Sequence, residues 1–132
     1  MSFAYLDSSA IVKLVVIEEH APALRDWLTT RTDRVSCALA RTEVVRAVRG
    51  LGPTYVMTAQ SALRDLALIA LDDELLDSAA RLDPPDLRSL DAIHLASALS
   101  LGDDLEAVVT YDRRMIEGAT ALGLVTVSPG RD

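Results

Sequence analysis

Short apolar runs with strand character alternate with amphipathic helical segments along the whole chain, and this alternation limits the possible folds more than any single motif. Strand-like runs fall at 3–6, 35–37, 67–71, 107–110 and 124–127. Helical spacing predicts helices over 8–16, 19–31, 40–51, 54–66, 73–82, 88–100 and 112–122, with Gly52-Pro53 and Pro84-Pro85 as stops. Adjacent parallel strands can be joined only by a crossover, and the crossover helices then cover both faces of the sheet. The expected class is therefore α/β, with a small parallel sheet of four to five strands flanked by helices on both faces. At 132 residues the chain is long enough for one domain over 1–132 and too short for two ordinary ones.

Half the residues are apolar and a quarter charged, which fits a globular protein and excludes general disorder. Neither a membrane-spanning run nor a basic start followed by an apolar signal core is present, so cytoplasmic residence is the expectation. The single Cys37 lies in an apolar stretch and reads as core. A net charge of −7 argues against nucleic-acid binding through a globally positive surface. The charge is nevertheless uneven: Arg41, Arg46 and Arg49 surround Glu43, and Arg113-Arg114 follow Asp112.

Four acids stand where strands give way to helices or inside the neighbouring helix: Asp7, Glu43, Asp91 and Asp112. Asp7 ends Phe3-Ala4-Tyr5-Leu6, and Asp112 follows Ala107-Val108-Val109-Thr110. In an open α/β sheet, ligands bind outside the carboxyl ends of the strands, so these acids are the expected site. Crowded carboxylates resist ionisation unless a cation neutralises them, and hard ions such as Mg²⁺ or Mn²⁺ prefer oxygen ligands. A metal-dependent enzyme is the resulting expectation.

Each acid also has an ordinary reading. Asp7 and Asp112 suit helix caps, and Glu43 suits a solvated helix face. Asp91 is more telling, because Leu90-Asp91-Ala92-Ile93-His94-Leu95-Ala96 surrounds it with apolar and small residues. His94 reads as a satisfied structural histidine, since no second His or Cys is placed to complete a transition-metal set. His20 is assigned nothing. Ser8 and Ser9 have neither a Gly-x-Ser-x-Gly elbow nor a His-acid pair, and no glycine-rich phosphate loop is present.

Taken in order, Asp7-Ser8-Ser9-Ala10, Glu43 on the third helix, the run from Leu90 to Leu99, and Val109-Thr110-Tyr111-Asp112-Arg113-Arg114-Met115 followed by Gly123-Leu124 and Pro129 resemble PIN domains. The likeness is strongest to VapC-type ribonuclease toxins and covers almost the whole chain. It implies a small parallel sheet, an acidic Mg²⁺/Mn²⁺ site, endoribonuclease activity on RNA, a homodimer, and inhibition by a VapB-like antitoxin. On that basis Asp7 and Asp91 are expected to hold the principal metal, and Glu43 and Asp112 to ligate it further or orient its waters. Ser8 and Thr110 are candidates for supporting those carboxylates, and Arg46, Arg49 and Arg113 for touching RNA phosphates.

Two other readings compete. A receiver-type phosphoacceptor also gathers acids at strand ends, but it needs a lysine ending the fifth strand, and the only lysine, Lys13, lies in the first helix. A catalytically silent PIN-like binding module is opposed by the four intact acids.

Overall fold

The computed structural model describes residues 1–131. Strands β1 (Phe3–Leu6), β2 (Arg34–Cys37), β3 (Ala67–Ile69), β4 (Leu105–Val109) and β5 (Thr126–Val127) pair in parallel in the order β3-β2-β1-β4-β5. The connecting helices are α1 (Ser8–Val15), α2 (Ala21–Leu28), α3 (Ala40–Val48), α4 (Pro53–Arg64), α5 (Asp73–Ala80), α6 (Ser89–Leu99) and α7 (Arg113–Ala121). The chain builds outward from β1 to β3 and then returns to place β4 on the other side of β1. The reversal leaves a crevice between β1 and β4, the position at which such sheets bind ligands.

Side chains alternate across the pleat, and the two faces collect different partners. Ala4 and Leu6 point into a core closed by Ile11, Leu24, Leu28, Val44, Val48 and Leu63 from α1 to α4. Tyr5, Val35 and Val108 face the other way, onto Ala98 of α6. Helix α6 is enclosed: Ala92, Leu95, Ala96 and Ala98 are all buried, which explains why its sequence carries so many small and apolar residues. A Cβ on Gly118 of α7 would stand 2.9 Å from Leu95 Cδ1 and 3.0 Å from Leu87 Cδ2. Glycine therefore allows α7 to approach α6 closely, and their amino ends carry Asp112 and Asp91.

The expected elements are present, with shifted ends. The expected helix over 40–51 stops at Val48 and continues as a 3₁₀ turn, Arg49–Leu51. The one expected over 19–31 contracts to Ala21–Leu28, since His20 enters it at a left-handed φ of 73°. The last strand begins only at Thr126. Gly123 turns at φ 78°, and the Leu124 N–H donates to the Ala119 carbonyl at 2.9 Å, so both residues are used in closing α7.

Candidate active site at the carboxyl ends of β1 and β4

Asp7 is one residue beyond β1, and its N–H donates to the Val109 carbonyl of β4 at 3.1 Å. The carboxylate is buried and caps α1, accepting from Ala10 N–H at 3.0 Å and Ser9 Oγ at 2.6 Å on one oxygen and from Thr110 Oγ1 at 2.5 Å on the other. Burial pushes the Asp7 carboxyl above its ordinary range, against the opposing pull of those three donors. Cap and site reading thus fall on the same atoms.

Thr110 and Ser9 tie the two strand ends together. Thr110 Oγ1 donates to Asp7 and accepts from the Asp112 N–H at 3.1 Å. Ser9 Oγ donates to Asp7 and accepts from the Tyr111 N–H at 2.9 Å. Asp112 in turn caps α7 through the Arg114 N–H at 3.0 Å. In the sequence Ser9 is weighed only as a nucleophile; its support of Asp7 is not legible there, because a hydroxyl beside an acid carries no distinguishing pattern.

Glu43 enters from α3, in the first turn of that helix. Its Oε1 accepts from Ser8 Oγ at 2.6 Å and from His94 Nε2 at 2.7 Å. Ser8 therefore supports Glu43 and not Asp7. Partial burial raises the Glu43 carboxyl, but the hydrogen bonds from His94 and Ser8 and the charge on His94 outweigh it and hold the group below its ordinary range. His94 is satisfied and buried, as expected of a structural histidine, but its partner is a candidate site acid. Burial favours its neutral form; bonds to Cys37 and Glu43, with the negative potential of Cys37 and Asp7, override this and raise it to about 10.

Asp91 differs from the other three. It is partly buried in the first turn of α6, and no donor among the described residues hydrogen-bonds to it or pairs with it. Burial raises its carboxyl first and the charge of Asp112 second, while Arg114, His94 and Arg88 oppose. Arg88 and Arg114 share with Asp91 a cleft of about 240 Å³, closed by Leu87 and Gly118. Arg114 stood out in the sequence only as part of the basic pair after Asp112, and Arg88 did not stand out at all. Arg88 stands three residues before Asp91, and a search one helical turn from each acid would have found it. Arg46, Arg49 and Arg113 are exposed, with Arg46 one turn after Glu43 and Arg113 opening α7.

The donor set is all oxygen and suits a hard divalent ion. Among the described residues, no three acidic, His or Cys side chains are gathered into a finished metal cage. Both oxygens of Asp7 and one of Glu43 instead accept from hydroxyl, amide and imidazole donors, while Asp91 and Asp112 bring like charges together. The four acids are linked pairwise: Asp7 to Asp112 through Thr110, Asp91 to Asp112 by like charge, and Glu43 to α6 through His94.

A family model for the PIN domain matches residues 4–120. Ribonuclease VapC46 of Mycobacterium tuberculosis (strain ATCC 25618 / H37Rv) is 50% identical over 129 residues, covering 98% of this chain and 99% of the relative. Ribonuclease VapC35 of the same strain is 44% identical over 131 residues, covering 96% and 97%. Ribonuclease VapC47 of M. tuberculosis (strain CDC 1551 / Oshkosh) is 39% identical over 131 residues, covering 96% of each. With a parallel five-stranded sheet and acids at its β1/β4 crevice, this chain belongs to the PIN domain family, among its VapC-type members.

Proposed function

We propose that this chain, as a single PIN domain over 1–132, is a VapC-type endoribonuclease, the toxin of a toxin-antitoxin pair, which hydrolyses RNA phosphodiesters with Mg²⁺ or Mn²⁺. The observation that carries the metal reading is Asp91: a partly buried carboxylate that no donor among the described residues hydrogen-bonds, raised by burial and by Asp112 against the pull of Arg114, His94 and Arg88, gains from a bound cation. The relatives' names, all ribonucleases, support the RNA substrate.

Asp7 and Asp91 would hold the ion, with Glu43 and Asp112 as further ligands or as acceptors for its waters. When bound, the ion lowers the pKa of a water and offsets charge at the scissile phosphate. Thr110 and Ser9 keep Asp7 fixed at the strand end, so its oxygens are in place before substrate arrives. Arg46, Arg49 and Arg113 would hold flanking phosphates, supplying locally the positive charge that the chain lacks overall. Water is the nucleophile, which leaves 5′-phosphate and 3′-hydroxyl ends.

Among the described residues, no helix is long and apolar enough to cross a membrane, in keeping with work on RNA in the cytoplasm. A homodimer and a VapB-like antitoxin complete the reading. Exposed Leu51, Tyr55 and Met57, on and just before α4, supply apolar surface for such contacts. Light scattering is expected to give twice the chain mass, and a monomer at high micromolar concentration contradicts the dimer. Partner-free protein is expected to cleave structured RNA in Mg²⁺ or Mn²⁺ and to stop in excess EDTA. Undiminished cleavage in EDTA, or by Asp7→Asn and Asp91→Asn variants, refutes the reading.

A further inference from the structure

Tyr5 and His94 form a polar chain in the buried layer between the sheet and α6, beside Ser36 and Ser97, and that chain ends on the carboxylate of Glu43. Tyr5 is fully buried and His94 is 3% exposed. The Tyr5 hydroxyl and His94 Nδ1 are 2.8 Å apart, and the rings meet edge to face at 79°. Cys37 Sγ lies 3.8 Å from the same nitrogen, and Nε2 reaches Glu43 Oε1 at 2.7 Å. Because a carboxylate only accepts, Nε2 must carry the hydrogen.

We propose that His94, braced by Tyr5, is a positioning residue that turns Glu43 toward the metal. Ser8 and His94 both donate to Oε1, and no donor among the described residues reaches Oε2. One oxygen is therefore pinned by α1 and α6, and the other is left for a ligand. Four separate elements supply this arrangement: Tyr5 from β1, His94 from α6, Ser8 from α1 and Glu43 from α3. Core stability alone gives little reason for it. Burying polar groups is costly, and an apolar pair of similar volume commonly fills such a space at equal or better stability. Groups that hydrogen-bond metal-ligating carboxylates fix their orientation, and removing them typically weakens metal affinity about 10- to 100-fold.

This inference rests on the reading of the acids as a metal site, and the experiment separates the two. Mn²⁺ binding to the RNA-free protein is titrated calorimetrically for wild type, Tyr5→Phe, His94→Asn, Glu43→Gln and the Tyr5→Phe/Glu43→Gln double variant, with apo melting curves alongside. His94→Asn is expected to weaken Mn²⁺ binding roughly 10-fold or more and Tyr5→Phe by a smaller factor, with KM for RNA unchanged. In the Glu43→Gln background, Tyr5→Phe is expected to have no further effect on Mn²⁺, because its influence passes through Glu43. If Tyr5→Phe and His94→Asn lower the melting temperature but leave the wild-type Mn²⁺ affinity intact, His94 is a core residue and the inference falls while the site stands. Equal effects of Tyr5→Phe in both backgrounds also overturn it. Wild type that binds no Mn²⁺ overturns both.

Discussion

Replacing Asp7 separates its two roles, because asparagine keeps the shape of the side chain and discards the charge, whereas alanine discards both. Asp7→Ala loses the cap on α1, a loss of about 1 kcal/mol. It also takes from the fully buried Thr110 hydroxyl the carboxylate it donates to, leaving only Ser9 Oγ at 3.4 Å as an acceptor, at roughly 1–3 kcal/mol. Ser9 is only partly buried, so water can replace its partner. Alanine should therefore lower stability by about 2–4 kcal/mol. Asparagine can still accept from Ala10 N–H and Ser9 Oγ, and its amide can donate to a Thr110 hydroxyl that turns to accept it. It gives up about one hydrogen bond, roughly 1 kcal/mol, and removes the cost of a buried charge. Burial raises the folded-state pKa of Asp7, so its contribution is full below the unfolded value of 3.8 and is lost as pH rises through the folded value. Metal-free wild type should therefore lose ground to Asp7→Asn as pH rises from the acid range, and the two should lie within about 1 kcal/mol near pH 8. Urea unfolding followed by circular dichroism in EDTA measures this. If asparagine costs as much as alanine at every pH, the buried charge is not strained and Asp7 is only a cap.

His94 acts with the same sign at the alkaline end: with a folded pKa raised from 6.5 to about 10, it adds stability that is fully present below 6.5 and lost as pH rises through about 10. His94→Gln should flatten that alkaline decline in a plot of melting temperature against pH, and an unchanged slope contradicts the assignment. Saturating Mn²⁺, at about 100 times its Kd, should stabilise wild type by about 2.7 kcal/mol. Asp91→Asn should lose most of that shift in a thermal melt while its apo form melts no lower than wild type. Gly118→Val should cost roughly 1–3 kcal/mol by overpacking α7 against Leu95 and Leu87, and should also weaken Mn²⁺ binding by moving Asp112 from Asp91. Wild-type Mn²⁺ affinity in that variant would show that the spacing of α6 and α7 does not govern the site.

Local chemistry made part of this legible in the sequence. Asp7 and Asp112 could be placed because the strand runs before them end sharply and a helix follows. Asp91 stood out because an acid amid Leu90, Ala92, Ile93 and Leu95 needs an explanation. The order β3-β2-β1-β4-β5 was not legible, because alternation specifies crossovers but not the side on which each returns. Glu43 could be placed mainly by its position on the third helix, and its contacts were not legible, since its partners Ser8 and His94 lie 35 and 51 residues away. Crowding among carboxylates was expected to raise their pKa values. Burial instead leads at Asp7 and Asp91, and Glu43 moves the other way because His94 faces it.

In the proposed reaction the acids direct water, not a side chain or the RNA 2′-hydroxyl, at the phosphorus. Cleavage of an RNA oligonucleotide in ¹⁸O-labelled water with Mg²⁺ or Mn²⁺, read by mass spectrometry of the products, tests it most directly. One ¹⁸O is expected in a 5′-phosphate opposite a 3′-hydroxyl, formed by wild type and not by Asp7→Asn or Asp91→Asn. A 2′,3′-cyclic phosphate without label, or labelled product formed equally by those variants, would contradict it.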